Sequence, residues 1–545
     1  MASASETTLV ERPLARLLMA PTLGDVLFVS LLVWLFVAAP SGWDSLLADG
    51  DAGWHIRTGE YILDTGKVPR EDLFSFSRPG APWFAWEWLA DVAFAVLWRM
   101  AGLKGVVLFS GAVIAVSALL LFRRMLWRGA NGIVALFVLL LTVGASSVHY
   151  LARPHIFTLL LLTLWLAVLD RDRVQPDRGL WLLVPLAAVW TNLHGGFLTG
   201  IASTGMLALG CAFERDWLQT RRYALLTGLC GAASLVNPYG YQLHWHIAAY
   251  LRSDWIRRVV DEFQSPNFRG ESMLQFKVLL FAGLAFVPLL AARKRWPEVV
   301  WIIGWAHLAL DSVRHVPIYG IVAAPAIAAV ATDLWRTAAA GRPVKSALRL
   351  LFHMAEDVTP SFRRATAWAA FPVAVLALAG APVNWPTDFP SKRFPVEMVN
   401  RHKDVIRGGR VFTEDQWADY LLYRFYPNQR VFLDGRSDFY GEQLGKEYIS
   451  LMNAAPNCEQ LLAKHGFSVV LVPVEWPLAS VLKGHRDWKM VADDGLAVLF
   501  QRRSPDFHLT GTKAAYLRPV IAKKGCQDLM KTTDADEGHT GDLEA

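Results

Sequence analysis

The feature that most constrains this chain is a series of apolar runs, each near the length that crosses a membrane. A transmembrane helix needs about 20 apolar residues to span about 30 Å of hydrocarbon. The runs cover residues 23–40, 105–122, 131–150, 156–169, 180–193, 196–213, 221–236, 275–292, 297–311, 316–335 and 365–382. The sequence therefore predicts a mainly α polytopic membrane protein, a helix bundle with about eleven spans.

The Lys and Arg residues are concentrated in short clusters between these runs. A net charge of +6 could indicate nucleic acid, but clusters in such positions are typical of topology determinants, so nucleic-acid binding is not predicted. If the amino terminus, residues 1–22, is cytoplasmic, five basic loops fall on the inner side. They are 123–128, 170–178, 214–222, 292–296 and 342–364.

The segment "WEWLADVAFAVLWRM", residues 86–100, is assigned to a helix that lies in the membrane interface. Counting it as a span would place every later basic cluster outside, against the positive-inside rule. Its Trp-rich start and Arg99 suit an interfacial position. A true span is the alternative.

With this topology, the polar motifs collect on the outer side of the membrane. The first outer loop, 41–104, is followed by "YLARPHIF", "TNLHGGF", "NPYGYQLHWH" with "DEFQSPNF", and "LDSVRHVP". Arg153, His194 and Arg314 lie near membrane boundaries, where an ionisable group is costly unless it faces a cavity or a partner. These residues are therefore functional candidates.

The composition changes after the transmembrane region, 23–382. Strand-like and helix-like segments alternate over 383–503, which predicts a small extracytoplasmic α/β domain because the span count is odd. Within it, "FLDGRSDFYG" places Asp434, Arg436 and Asp438 at the end of a strand, which predicts a salt-bridged turn or a ligand site. The acidic tail, 504–545, is expected to be disordered.

The loop "LLADGDAGWHIRTGEYI" places Asp49 and Asp51 directly after the first run, on either side of a glycine. Two carboxylates at this spacing can ligate Mg²⁺ or Mn²⁺, or one can act as a general base. The alternative is a solvated turn that caps the following helix. Trp54 and His55 follow immediately and are candidates for substrate binding.

Several motifs resemble those of known membrane enzymes. The acidic loop, "PWFAWEWL", "ARPHIF", "WTNLHGGFLTG", "NPYGY", "FQSPNF", "RHVPIY" and "VFLDGRSDFYG" together resemble the GT-C superfamily of integral membrane glycosyltransferases. They are most similar to a widespread bacterial family grouped with those enzymes. The likeness covers most of residues 20–500.

This resemblance implies a multi-pass protein of the bacterial inner membrane that uses a sugar carried on a polyprenyl phosphate. The acceptor would be a glycan, a lipid or a protein. An acidic residue of the first outer loop takes part in catalysis in this class, which implies Asp49 or Asp51 as base or metal ligand. The chain departs from the adjacent acidic pair of several branches, since a glycine separates its two acids.

An anionic phosphate leaving group needs cations, and arginine suits that role through its forked guanidinium. The candidates are Arg153 and His155 in "ARPH" and Arg314 and His315 in "SVRHVP". The alternative is that these side chains only reach membrane lipid headgroups.

Three further sets of residues complete the candidate site. Glu87, between two tryptophans, is a candidate acid or base, the alternative being an exposed residue of an interfacial aromatic belt. His194 precedes two glycines that permit close approach of a ligand or of a helix. Weaker candidates for an acceptor site are Asn237, Tyr239 and Glu262.

The sequence thus predicts a membrane glycosyltransferase that moves a sugar from a polyprenyl-phosphate donor to an extracytoplasmic acceptor. Two other classes are weighed against it. A transporter or flippase of a lipid or glycan intermediate would need polar groups on both sides and within the spans. A noncatalytic assembly partner would not need the acidic loop.

Overall fold

The computed structural model describes residues 20–38, 42–364, 366–378 and 385–503, which divide into two compact units. The first contains the described residues up to Arg70 together with Phe84–Phe389. The second contains Glu71–Trp83 together with the described residues from Pro390 onward. The tail at 504–545 lies outside the described residues.

The first unit is built from α-helices. They are α1 (Leu23–Val33), α2 (Ala52–Thr65), α3 (Trp88–Trp127), α4 (Gly132–Ser146), α5 (His155–Val174), α6 (Leu183–Leu193), α7 (Phe197–Phe213), α8 (Trp217–Ala233), α9 (Tyr241–Arg252), α10 (Asp254–Val259), α11 (Met273–Ala292), α12 (Trp296–Asp311), α13 (Val316–Ala340), α14 (Ala347–Arg363) and α15 (Ala370–Leu378). Polar side chains cap several of them. Thr22 and Asp25 form a reciprocal capping box at α1, and the side chain of Asn131 caps α4, which satisfies N–H groups that the helix leaves open.

Four helical stretches of the described chain are long and apolar enough to cross a membrane. They are Trp88–Trp127, Gly132–His149, Met273–Ala292 and Val313–Ala340. Other predicted runs form shorter helices, such as the 11-residue α6, which at 1.5 Å per residue is about 16 Å long. The membrane-protein class is therefore supported, whereas the number of eleven spans stays a prediction.

Helix α3 is broken about a third of the way along by Ala101 and Gly102, which have non-helical backbone angles. Gly102 has φ of +61°, a conformation that glycine adopts without strain. The break separates the segment assigned to the interface, 86–100, from the apolar run that begins at residue 105. The interfacial position of that segment stays a prediction.

Buried ion pairs join the carboxy-terminal ends of α3 and α5 to the start of α12. Arg124 in α3 donates to Asp170 in α5 (Nε to Oδ2, 2.6 Å) and to the carbonyl of Ile321. Arg128 contacts both Asp170 and Glu298. The basic cluster at 123–128 thus has acidic partners, and it holds helix ends together besides supplying positive charge.

The second unit contains a small mixed sheet with helices, as the alternating pattern predicts. Its elements are α16 (Val396–Arg401), α17 (Lys403–Arg407), β1 (Val411–Thr413), α18 (Asp415–Phe425), α19 (Ser437–Met452), α20 (Cys458–Lys464), β2 (Val469–Pro473), α21 (Pro477–Lys483), β3 (Trp488–Asp493) and β4 (Ala497–Arg502). The strand order is β1-β2-β4-β3, with β1 parallel to β2 and the other pairs antiparallel. Strand β2 is buried along its whole length, as a central strand requires.

Arg436 explains why Glu71–Trp83 belongs to this second unit. Its guanidinium is buried and pairs with Asp434 (2.7 Å) and with Asp72 (2.8 Å), and it lies over the rings of Phe74 and Trp83. A buried charge needs such partners. The predicted salt bridge between Asp434 and Arg436 is therefore confirmed, and it extends to a segment that is distant in sequence.

Candidate active site

The acidic loop is a short turn between a 3₁₀ helix, Gly42–Leu47, and α2. The side chain of Asp49 accepts a hydrogen bond from the backbone N–H of Asp51 (2.9 Å), which closes the turn. Asp51 directly precedes α2, but its side chain makes no capping hydrogen bond. Helix capping therefore does not account for Asp51.

Arg153 joins the acidic loop to a third carboxylate. Its Nη1 lies 2.9 Å from Asp49 Oδ2 and 3.0 Å from Glu262 Oε1, and its Nη2 lies 2.7 Å from Asp51 Oδ2. The side chain of Asp51 is only 5% exposed, so its charge depends on this partner. Because three carboxylates face one guanidinium, the cluster keeps a net negative charge.

The electrostatics of the cluster favour the charged forms of Arg153 and Glu262. Burial alone would lower the pKa of Arg153, but the carboxylates, first that of Asp49, raise this pKa above its ordinary value. Burial alone would raise the pKa of Glu262, but Arg153 and then Arg314 hold it below its usual range. Arg153 and Glu262 are therefore both charged at neutral pH.

The expected Mg²⁺ or Mn²⁺ site does not fit the donors as they are arranged. Arg153 hydrogen-bonds to the carboxylates that would act as ligands. Across the described ranges, no group of three or more His, Cys, Asp or Glu residues is arranged to hold a metal ion. Asp49 and Asp51 thus bind a guanidinium in this arrangement.

Trp54 and His55 lie in the first turn of α2, and both are buried. Their ring centroids are 3.6 Å apart. His55 Nδ1 lies 2.6 Å from Oδ1 of Asp91, a residue of α3. Burial lowers the pKa of His55 well below its ordinary value, and Arg153 adds to this effect, so the imidazole is neutral at neutral pH.

Glu87 directly precedes α3 and lies near two imidazoles. Its Oε2 is 3.7 Å from Nε2 of His55, and its Oε1 is 3.4 Å from Nε2 of His194. The neighbouring Trp88 donates its indole N–H to Asn192 Oδ1 (2.7 Å), which fixes the start of α3 beside the end of α6. Glu87 is 12% exposed at its side chain, so it is not an exposed residue of an interfacial belt.

His155 and His194 lie at neighbouring helix ends, with ring centroids 6.4 Å apart. His155 begins α5 and donates a hydrogen bond from Nε2 to the carbonyl of His149 (2.5 Å). His194 follows α6, and its Nδ1 is hydrogen-bonded to Thr158 Oγ1 (2.8 Å). Both imidazoles are thus held in place by the bundle.

Arg314 and His315 lie in a one-turn 3₁₀ helix, Val313–His315, that leads into α13. Arg314 lies over the ring of Phe263 at 4.6 Å from its centroid, and Phe263 follows Glu262 in the chain. In the part of the chain that the structure describes, Arg314 makes no ion pair within 4.0 Å. His315 donates from Nδ1 to the carbonyl of Leu308 (3.1 Å), which holds its ring against α12.

The structure therefore brings most of the predicted residues together. Asp49, Asp51 and Arg153 form one ion cluster, and His55, Glu87 and His194 form a second group that interacts with it electrostatically. Trp54 contacts the ring of His55, and His315 is hydrogen-bonded to the backbone of α12.

Asp91 is the site residue that sequence reasoning missed. It lies four residues after Glu87, hence on the same face of the helix, and it is an acidic residue in an apolar segment. This position could have indicated Asp91 from the sequence alone, because a carboxylate in an apolar segment needs a partner. The structure supplies His55 as this partner.

Comparison with solved structures identifies the fold. The archaeal oligosaccharyltransferase AglB from Archaeoglobus fulgidus, in complex with an inhibitory peptide and a dolichol-phosphate, matches with a TM-score of 0.54 at 12% identity, over 89% of this chain and 74% of AglB. The apo oligosaccharyltransferase from Archaeoglobus fulgidus matches with a TM-score of 0.51 at 13% identity, over 83% of this chain and 69% of that one. The chain has a GT-C fold. The resemblance noted in the sequence is thus confirmed at the level of the fold.

ArnT from Cupriavidus metallidurans, bound to undecaprenyl phosphate, is also similar, with a TM-score of 0.46 at 15% identity over 87% of this chain and 97% of ArnT. No protein-family model matches the sequence, and no curated protein sequence matches it.

Proposed function

We propose that this protein is a membrane glycosyltransferase that moves a sugar from a polyprenyl-phosphate donor to an extracytoplasmic glycan, lipid or protein acceptor. The GT-C fold supports a transferase of this general kind. AglB, which shares the fold, is an oligosaccharyltransferase in complex with a dolichol-phosphate, and this supports a lipid-phosphate carrier.

The observation that carries the proposal is the concentration of buried ionisable groups at one end of the bundle. Asp51, His55 and Asp91 are each at most 4% exposed. They lie at or just before the first turns of α2 and α3, next to the start of α5, where Arg153 stands. Buried ionisable groups are costly for stability and are concentrated at functional sites.

Arg153 and Arg314 differ in how readily each could bind a phosphate. Arg153 already pairs with three carboxylates, so it would have to exchange partners in order to bind an anion. Arg314 stacks on Phe263 beside Glu262, and among the described residues it makes no ion pair that it would have to exchange for a bidentate contact with a phosphate. Arg314 is therefore the first candidate for binding the donor phosphate, and Arg153 chiefly positions Asp49 and Asp51.

The transfer requires one bond to form and one to break. The nucleophilic group of the acceptor attacks the anomeric carbon of the sugar and loses its proton to a carboxylate of the site. The bond from that carbon to the phosphate oxygen breaks, and the phosphate keeps the electron pair. Asp49, Asp51 and Glu87 are the candidate proton acceptors, and a cation near the phosphate stabilises the charge that develops there.

Binding of undecaprenyl phosphate to the purified protein in nanodiscs tests the donor class, with undecaprenol as the ligand that lacks phosphate. We expect Arg314→Gln to weaken binding of the phosphate by about fivefold or more, since a hydrogen bond to a charged group contributes about 1 kcal/mol or more. The matched control is Arg336→Gln, because Arg336 is exposed and pairs with Asp333 in α13. Equal binding of undecaprenyl phosphate and undecaprenol would refute the donor assignment.

The predicted binding of Mg²⁺ or Mn²⁺ by Asp49 and Asp51 is tested with the same nanodisc preparation. Chelation with EDTA followed by addition of Mg²⁺ or Mn²⁺ should leave donor binding unchanged if Arg153 remains the partner of Asp49 and Asp51. A requirement for the added cation would show instead that a metal replaces the guanidinium.

We also propose that the first outer loop, 41–104, and the α/β domain, 383–503, are extracytoplasmic. In a variant without its four native cysteines, Lys67→Cys and Lys489→Cys should react with a membrane-impermeant maleimide on intact cells. Arg178→Cys, in a predicted inner loop, should react only after lysis. Labelling of Lys67→Cys and Lys489→Cys from opposite sides would contradict the topology.

A further inference from the structure

Asp91 and His55 are in contact because α2 and α3 approach each other unusually closely. A Cβ at Gly59 would lie 2.0 Å from the carbonyl oxygen of Asp91, so only glycine fits at this position. Gly59 lies four residues after His55, on the same face of α2. The close approach therefore brings the imidazole of His55 onto the Asp91 carboxylate.

We assign the hydrogen between Asp91 Oδ1 and His55 Nδ1, 2.6 Å apart, to the imidazole, with Asp91 as the acceptor. Burial and then Glu87 raise the pKa of Asp91 well above its ordinary value, so the opposite arrangement, an Asp91 hydroxyl that donates to Nδ1, is what the NMR measurement below distinguishes. The neutral imidazole then has its lone pair on Nε2. This atom faces Glu87 Oε2 at 3.7 Å.

The hydrogen-bond pattern around His194 fixes its proton as well. The backbone N–H of Gly196 donates to His194 Nδ1 (3.0 Å), so Nδ1 is the unprotonated nitrogen. Trp190 donates its indole N–H to Thr158 Oγ1 (3.1 Å), which leaves the hydroxyl hydrogen of Thr158 for His194 Nδ1. Neutral His194 therefore carries its proton on Nε2, and that nitrogen faces Glu87 Oε1.

Glu87 thus has a different neighbour at each carboxylate oxygen. One oxygen faces the N–H of His194, which stabilises the carboxylate. The other faces the lone pair of His55 Nε2 at 3.7 Å, which can accept a hydrogen bond from Glu87 once Glu87 is protonated. Asp91, on the far side of His55, holds the imidazole in the tautomer that presents this lone pair.

We propose that Asp91 is a positioning residue which holds His55 in the Nδ1–H form, so that the lone pair of His55 stabilises protonated Glu87 and makes Glu87 the base that accepts the proton lost by the acceptor. This inference rests on the proposed transferase function. Glu87 takes the proton from the nucleophilic group of the acceptor as the bond to the anomeric carbon forms and the phosphate leaves with its electron pair. Protonated Glu87 then donates a hydrogen bond from Oε2 to His55 Nε2, the imidazole stays neutral, and the proton is later released from Glu87 to water.

The direct test is the tautomer of His55, observed by NMR of protein labelled with ¹⁵N-histidine in nanodiscs and assigned with His55→Gln. Wild type should show a protonated Nδ1 in a strong hydrogen bond and an unprotonated Nε2. Asp91→Leu removes the acceptor at Nδ1, so the proton should move to Nε2, where the Glu87 carboxylate is the remaining acceptor. Asp91→Asn should keep the Nδ1–H form, because its amide oxygen still accepts.

Transfer of labelled sugar from polyprenyl phosphate supplies the second readout. Asp91→Leu should lower kcat by at least roughly tenfold, with KM for the donor unchanged, and Asp91→Asn should recover much of the loss. The matched control is Asp25→Leu, which removes another buried aspartate, one that bonds to Thr22 and Thr366. It should alter neither the tautomer nor kcat.

The outcomes separate this inference from the proposed function. An Nε2–H tautomer of His55 in wild type, or a tautomer that Asp91→Leu leaves unchanged, would overturn the role of Asp91 even if sugar is transferred. An active Asp91→Leu variant with wild-type kcat would overturn it as well. Absence of any transfer by wild type, with the tautomers as expected, would overturn the proposed function and with it the catalytic part of this inference.

Discussion

At the scale of single residues, the charge balance of the site depends on Arg153. Its guanidinium is the shared partner of Asp49, Asp51 and Glu262, and Asp51 is buried. Without this guanidinium, three carboxylates would face one another, and the buried Asp51 would lose its arginine partner. Removal of one member of a buried ion pair costs about 3–5 kcal/mol.

We therefore expect Arg153→Gln to lower the thermal stability of the protein strongly, and Arg153→Lys to lower it less because the charge remains. Thermal unfolding in detergent, followed by tryptophan fluorescence, measures both. Arg99→Gln is the control, since Arg99 and its partner Asp64 are largely exposed and such pairs contribute about 1 kcal/mol or less. Equal losses for Arg153→Gln and Arg99→Gln would contradict the central position of Arg153.

Residues within one motif were predictable from the sequence, and residues joined only by tertiary contacts were not. Asp49 and Asp51 stand two positions apart, so their proximity follows from the chain itself. Asp91 lies 36 residues from His55, and Glu262 lies 109 residues from Arg153. No local pattern indicates those pairings, because helix packing creates them.

At the scale of elements, the contact between α2 and α3 at Gly59 is the packing feature that shapes the site. We expect Gly59→Ala to cost about 1–3 kcal/mol, because the added Cβ would meet the backbone of α3. It should also move His55 away from Asp91, which the tautomer measurement would detect. Gly228→Ala in α8 is the control, since a Cβ there meets nothing within 4 Å and should be neutral or slightly stabilising.

The junction of β1 and α18 carries a pH-sensitive carboxyl group. Burial raises the pKa of Glu414 to about 7, and Asp415 and Glu475 add to the shift. The folded state therefore binds this proton more tightly than the unfolded state, whose pKa is near 4.5. The contribution of Glu414 to stability is present below about pH 4.5 and is lost as the pH rises through about 7.

Glu414→Gln should remove this dependence. Melting temperatures measured between pH 4.5 and 8 should fall more steeply with rising pH in wild type than in Glu414→Gln, and the variant should be the more stable of the two at pH 8. Parallel curves for the two proteins would show that the carboxyl of Glu414 is solvated in the folded state.

The sequence predicted where helices occur better than it predicted how long they are or which unit they join. Runs 275–292 and 316–335 correspond closely to α11 and α13. Run 180–193 yields only α6, since its first residues form a 3₁₀ helix, Arg178–Leu182. The membership of Glu71–Trp83 in the second unit was not predictable, because it depends on the pairing of Asp72 with Arg436, 364 residues away.

At the scale of the whole molecule, the first unit has two groups of polar residues, at opposite ends of its helices. At one end, Arg124 and Arg128 are matched by Asp170 and Glu298, an arrangement that fastens helices together. At the other end, carboxylates outnumber the cations with which they pair, and His55 and His194 face Glu87. The surplus of carboxylates suits the proton-accepting site that we propose.

The most direct test of the central claim is transfer of sugar by membranes that contain the protein. Polyprenyl-phosphate sugars extracted from cells grown on ¹⁴C-glucose serve as donor, and label that becomes stable to mild acid measures the product. The variants are Glu87→Gln and the double variant Asp49→Asn with Asp51→Asn, at protein levels matched to wild type. Asp333→Asn is the control, because it alters two exposed ion pairs, with Arg293 and with Arg336.

We expect wild type and Asp333→Asn to transfer label at similar rates. Glu87→Gln and the double variant should be slower by roughly a hundredfold or more, because loss of a general base costs about that factor. Wild-type rates in both of these variants would contradict the assignment of this end of the bundle as the active site.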